Sequence, residues 1–153
     1  MPPKLPISIV NLKHLYLGVS FMEKEELLCC FCLIKSSPNL TDLFLKNEQL
    51  DDSPSVAMNF LDLQERSNFK LDHLDKFEMI NFKNLAIEIN ILKLVVTQAP
   101  VIRKVKIRLA RMFYYDKELK IFKDAFPHAS TSMKFKDRTG WKQWNGPIVE
   151  LNF

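Results

Sequence analysis

The residues best placed for chemistry lie between the leucines of a recurring L-x-x-L-x-L element. Side chains alternate between the two faces of a β-strand, so the leucine positions point into a core and the positions between them point outward. Read strand by strand, the outward positions change from aromatic to basic along the chain. The candidate binding residues on this face are His14, Tyr16, Asp42, Phe44, Lys76, Glu78, Lys104, Lys106, Arg108, Lys134 and Lys136.

This ladder of side chains has two interpretations. In the first it is a protein-binding face, with Tyr16 and Phe44 as apolar anchors and an acidic partner segment at the cationic end. In the second it is a solvated sheet face whose lysines discourage aggregation. The cationic end is pronounced, since residues 70–153 carry 16 of the 22 lysines and arginines and 9 of the 18 acidic residues.

Other reactive side chains do not form a recognisable catalytic or metal centre. None of the 3 histidines lies near a Ser, Cys or carboxylate in a known catalytic order, so we expect no enzymatic activity. Cys29, Cys30 and Cys32 lack a second pair at the C-x2-C spacing typical of zinc ligands. They are expected to pack a helix in a reducing compartment, and no metal or other cofactor is predicted.

Composition excludes further classes. Only 3 glycines occur in 153 residues, and no two of them can form a P-loop or a G-x-G-x-x-G turn. Apolar residues make up 47% of the chain, enough for a core, but no apolar run is long enough to span a membrane. With no signal-peptide pattern at the N-terminus, a cytoplasmic or nuclear location is expected.

A nucleic-acid-binding module is a less favoured alternative. The basic run contains Arg103, Lys104, Lys106, Arg108 and Arg111, and phosphate binding requires several cations on one face. Strand alternation places only three of these cations together.

The L-x-x-L-x-L element recurs with starts 28, 34, 28 and 28 residues apart, the last copy being degenerate. This period is close to the leucine-rich-repeat range of about 20 to 29 residues. It predicts an α/β fold, a short leucine-rich-repeat-like solenoid with about five parallel strands and right-handed crossover helices. The predicted strands cover residues 12–17, 40–45, 73–80, 102–109 and 132–136.

Helices are predicted between these strands, over residues 23–35, 87–98 and 117–125. The first opens with acidic residues, closes with a basic one and is followed by Ser36-Ser37-Pro38. The longer repeat contains an insert at 47–70, in which 58–63 is expected to form a short helix. Residues 139–153 read as a C-terminal tail in which 139–147 has turn residues and no period, and Trp141 and Trp144 are expected to cap the last repeat.

Two phrases carry a family resemblance. The run E-x-x-x-L-K-L-x-x-x-x-A-P-x-x-R begins at Glu88, and C-L-I-K-S-S-P-N-L extends from Cys32 to Leu40. Together with the repeats, residues 5–136 resemble the leucine-rich-repeat and FBD region of plant F-box/FBD/LRR-repeat proteins. The resemblance implies a repeat segment at 1–70, an FBD domain at 71–138 and the tail at 139–153. It departs from the family at His128, where the family usually has an arginine.

The resemblance implies a non-catalytic protein-interaction module, similar to the substrate-recognition region of F-box proteins in cullin-type ubiquitin ligases. Its partner would be an unidentified protein or ubiquitination target. Because Leu5-Pro6 begins a repeat strand in place of an F-box, adaptor docking is not expected. The alternative is a truncated, F-box-less fragment with no independent function. Its first strand would then present an unpaired edge, and we would expect self-association.

Overall fold

The computed structural model describes residues 9–21, 23–48, 70–83, 86–109, 115–134 and 148–153. The described strands are β1 (His14–Val19), β2 (Asp42–Asn47), β3 (Lys76–Phe82), β4 (Lys104–Leu109), β5 (Ser130–Lys134) and β6 (Ile148–Asn152). The helices are α1 (Lys24–Lys35), α2 (Ala86–Gln98) and α3 (Tyr115–Ala125). The helix expected at 58–63, the tryptophans 141 and 144 and Lys136 lie outside the described residues.

The strands form one six-stranded sheet in the order β1-β2-β3-β4-β6-β5. The neighbours among β1 to β4 pair in parallel, as the repeat predicts. The prediction of about five parallel strands is wrong in one respect, because β6 from the predicted C-terminal tail is antiparallel to both β4 and β5. Strand β6 therefore lies between β4 and β5, and its backbone groups form hydrogen bonds with both strands.

Strands β1 to β4 begin later than predicted because the first residue of each of the first four L-x-x-L-x-L elements occupies a turn. In each turn the amide of that residue donates a hydrogen bond to the carbonyl three residues earlier. The four donor–acceptor pairs, 3.2 to 3.5 Å apart, are Leu12 to Ile9, Leu40 to Ser37, Leu74 to Leu71 and Ile102 to Ala99. The sequence repeat is thus also a repeat of backbone hydrogen bonds.

Helix α1 shows why the helices begin and end where the sequence indicates. Acidic side chains lie in its first turn and Lys35 in its last, which suits the helix dipole. At the C-terminal end the Ser36 hydroxyl donates to the carbonyl of Cys32 at 2.7 Å, and the Ser37 hydroxyl donates to Leu33 at 2.8 Å. These hydroxyls satisfy carbonyls that have no partner within the helix.

The hydrophobic core lies between the helices and one face of the sheet. The sheet side chains of this core are Leu43, Leu45, Phe77, Met79, Val105, Ile107, Val149 and Leu151. Helix residues such as Phe31, Ile91 and Phe122 pack against them. We call the opposite face of the sheet, which carries the side chains that alternate with these, the outer face. None of the helices in the described part of the chain is long and apolar enough to cross a membrane.

A buried polar network joins the C-terminal ends of two strands to α2. The Glu88 carboxyl group, fully buried, accepts hydrogen bonds from Asn47 Nδ2 at 3.0 Å and from the Lys83 amide at 3.0 and 3.1 Å. Asn81 Nδ2 in turn donates to the Asn47 carbonyl at 2.6 Å. Asn81 has a φ of 63°, a left-handed conformation that asparagine tolerates better than most residues. The network therefore holds the start of α2 against β2 and β3.

Candidate protein-binding face

Strand register places the predicted outward residues in rows that run across the sheet. The first row contains His14, Asp42, Lys76, Lys104, Asn152 and Ser130. The second row contains Tyr16, Phe44, Glu78, Lys106, Glu150 and Ser132. The third row contains Gly18, Lys46, Ile80, Arg108, Ile148 and Lys134. Neighbours in a row are about 4.8 Å apart.

Two aromatic side chains lie next to each other in the second row. Tyr16 is 49% exposed, and Phe44 is half-buried beside it. Their ring centroids are 6.4 Å apart with 28° between the ring planes, a stacked arrangement favourable for aromatic pairs. Because β1 is the first strand of the sheet, this pair lies at the sheet edge, where an incoming side chain can reach it.

A polar pair lies beside the aromatic rings. His14 Nδ1 is 3.2 Å from Asp42 Oδ2, and the two residues are register partners in the first row. The imidazole is mostly exposed, whereas the Asp42 carboxyl group is more covered. This end of the outer face therefore combines apolar rings with a hydrogen-bonding group, a composition typical of protein contact sites.

The structure corrects the cationic end of the predicted ladder. Arg108 Nε lies 3.0 Å from Glu78 Oε1, and both side chains are buried. Lys106 Nζ lies 3.9 Å from Glu150 Oε1. The cationic end of the ladder is therefore interrupted by an anion, because Glu150 of β6 lies between β4 and β5. Because Glu78 and Arg108 are buried and paired with each other, they do not form an accessible contact surface.

The last predicted strand also has a different register. The strand predicted at 132–136 is β5 at Ser130–Lys134, two residues earlier. The pairings through β6 place Ser130 in the first row and Ser132 level with Lys106. The backbone of Lys134 then lies in the third row, at the end of β5. Lys136 lies outside the described residues, so its predicted place on this face stays a prediction.

A pocket of about 360 Å³ lies beside the first row, at the N-terminal ends of β3 and β4. Its lining residues are Asp75, Lys76, Arg103, Lys104, Asn152 and Phe153. The Arg103 guanidinium binds both oxygens of the Asp75 carboxylate, with Nη2 to Oδ2 at 2.8 Å. These hydrogen bonds and the adjacent positive charge lower the pKa of Asp75, against a smaller opposing effect of desolvation. Sequence reasoning missed this pocket because Asp75 and Arg103 precede their strands.

The cysteines lie on α1, away from the outer face. Cys30 and Cys32 are buried and Cys29 is exposed. Burial raises the pKa of the Cys30 thiol to about 12, which suits a packing role. Among the residues that the structure describes, no group of three or more His, Cys, Asp or Glu side chains is arranged to hold a metal ion.

Glu150 and the buried network around Glu88 were not predicted. The available signal for β6 was the short run Ile148-Val149-Glu150-Leu151 directly after Gly146-Pro147, which fits a strand that follows a turn. For the network, the signal was an asparagine seven residues after the start of two successive repeats, at 47 and 81.

Comparison with known proteins adds no assignment. The chain matches no protein-family model, no curated protein and no solved structure.

Proposed function

We propose that this protein is a non-catalytic protein-interaction module that binds its partner through the aromatic edge of the outer face. The observation that carries the proposal is the stacked pair of Tyr16 and Phe44. Among the described residues, the exposed large apolar side chains are Val10, Tyr16, Val101 and Phe153, and of these only Tyr16 lies within a strand. An aromatic ring held by strand backbone loses little conformational entropy when a partner covers it.

The polar surroundings support a protein partner. His14 and Asp42 lie beside the rings and offer directional hydrogen bonds, while the anchors offer apolar area. Interfaces commonly combine a central aromatic anchor with a polar rim. The ion pairs of Lys106 and Arg108 with carboxylates reduce the cations available to phosphates, so we do not propose nucleic acid as the partner.

A finer assignment follows from the resemblance to F-box/FBD/LRR-repeat proteins. We propose that the partner is a protein of the kind selected for ubiquitination by a cullin-type ligase. The repeated turns and the parallel pairing of β1 to β4 are compatible with a leucine-rich-repeat segment.

The experiment is affinity capture with the immobilised chain, followed by quantitative mass spectrometry. The test variant is Tyr16→Ala plus Phe44→Ala, and the control is Val10→Ala plus Val101→Ala, which removes exposed apolar area elsewhere. We expect a partner to be captured by the wild type and the control but not by the test variant. Loss of an aromatic anchor costs about 2 kcal/mol or more, so titration calorimetry with that partner should show affinity weakened at least about 30-fold. Equal binding to both variants would refute the face assignment.

A further inference from the structure

We infer that Lys76 and Lys104 bind a carboxylate side chain of the partner, about 10 Å from the apolar side chain that contacts Phe44. This inference rests on the proposed protein-binding function and adds the chemistry of the partner segment. The segment is a peptide in polyproline II conformation with an apolar residue and an Asp or Glu three positions away. The argument depends on which cations of the outer face are already neutralised, on the pocket beside them and on their distance from the aromatic pair.

Some basic side chains of the outer face form ion pairs with carboxylates of this protein, and others do not. Arg108 is paired with Glu78 and Lys106 with Glu150. Within the described residues, no carboxylate forms an ion pair with Lys76 or Lys104, and Lys76 has only a longer-range charge interaction with Asp75. A partner carboxylate therefore meets less competition at these two lysines than at the buried pairs.

Lys76 and Lys104 are direct register partners on adjacent parallel strands. Their backbones are thus about 4.8 Å apart, and side chains of like charge directly opposite each other on neighbouring strands repel each other. Lys76 is exposed and Lys104 is half-buried, so both ammonium groups can reach a ligand in solvent. A carboxylate placed between them relieves the repulsion and accepts two charge-assisted hydrogen bonds.

The pocket of about 360 Å³ gives this carboxylate a place to lie. Both lysines line it, and Asn152 contributes an amide that can donate a further hydrogen bond. The one acidic side chain in the lining, Asp75, is bound at both oxygens by Arg103. The Asp75 charge is therefore largely compensated, and the lining as a whole favours an anion.

The spacing to the aromatic pair follows from the sheet. Phe44 lies one row, or two residues along the strand, from the row of Lys76 and Lys104. Across the sheet it lies one and a half strand spacings from the midpoint between them. With about 4.8 Å between strands and about 3.3 Å per residue along a strand, the distance from Phe44 to this midpoint is roughly 10 Å. Three residues of a polyproline II helix rise about 9.3 Å, and its three residues per turn bring the side chains of i and i+3 to the same face. An apolar residue at i and an acidic residue at i+3, or the reverse order, therefore match the two contact points.

The experiment is selection of random dodecapeptides displayed on phage against the immobilised full chain, with sequencing of the bound pool. We expect enriched peptides to carry an aromatic or aliphatic residue with Asp or Glu three positions away, at least threefold above other offsets. One enriched peptide is then synthesised with a fluorescent label. Its affinity is measured by anisotropy for the wild type and for Lys76→Gln plus Lys104→Gln. Two exposed charge contacts predict roughly five- to tenfold weaker binding at low salt, with a smaller salt dependence.

The matched control is Lys93→Gln plus Lys123→Gln, which removes the same charge from exposed positions on α2 and α3. It should leave affinity within about twofold of the wild type. Peptides that need Tyr16 and Phe44 but lack an acidic preference at this spacing would overturn the carboxylate site and leave the binding face intact. So would unchanged affinity in the Lys76 and Lys104 variant. An absence of enriched peptides, or binding that survives Tyr16→Ala plus Phe44→Ala, would refute the face and the carboxylate site together.

Discussion

Replacing Glu88 by alanine should destabilise the fold more than any exposed acidic substitution. The fully buried Glu88 carboxyl group accepts hydrogen bonds from Asn47 Nδ2 and from the Lys83 amide. Each buried donor that loses its acceptor costs about 1 to 3 kcal/mol. With two donors affected and a cavity left behind, the loss in unfolding free energy should be about 3 kcal/mol, within a range of roughly 2 to 5.

Urea unfolding followed by circular dichroism measures this loss. Glu25→Ala is the matched control, because Glu25 also lies in the first turn of a helix but is exposed. Its removal costs only a favourable interaction with the helix dipole, roughly 0.3 to 1 kcal/mol. Asn47→Ala and the double variant complete a double-mutant cycle. Because Asn47 donates directly to Glu88, the two losses should be non-additive by at least about 0.5 kcal/mol.

Two results would refute the reasoning about this network. The first is a Glu88→Ala loss no larger than the Glu25→Ala loss, which would mean that the buried hydrogen bonds add nothing to stability. The second is a double variant whose loss equals the sum of the single losses, which would mean that Asn47 and Glu88 act independently.

Two further predictions test the C-terminal strand and the pocket. Leu151→Ala should reduce the unfolding free energy by about 2 to 5 kcal/mol because Leu151 is fully buried. The control Val101→Ala should change it little because Val101 is exposed. Equal losses of the two variants in urea unfolding would contradict the placement of β6 in the core. Arg103 lowers the pKa of Asp75, so the stability from this carboxyl is present above its unfolded-state pKa and is lost as pH falls through the lower folded-state value. In Arg103→Gln, the Asp75 carbon resonance should titrate at higher pH by NMR, and an unchanged midpoint would contradict the pairing.

The sequence determined the repeated half of the fold. Hydrophobic periodicity locates β1 to β4 and the three helices of the described residues to within about three residues, because leucine spacing reports directly on which side chains must be buried. Equal offsets between repeats also align their outward residues, so the neighbours His14 and Asp42, and Tyr16 and Phe44, follow from the period. Short-range patterns suffice here because each repeat packs on the next in the same way.

Only the tertiary structure decided how the strands after β4 pair. A five-residue strand has too few positions to show a clear period, and its pairing partners β4 and β5 are not adjacent to it in the sequence. Once Ile148–Asn152 enters the sheet, Glu150 lies beside Lys106, and the charge of the outer face changes. Lys106 and Arg108 each pair with a carboxylate, whereas among the described residues no ion pair joins Lys76 or Lys104 to one. Residue types specified which charges the protein has, but strand pairing decided which of them lie side by side.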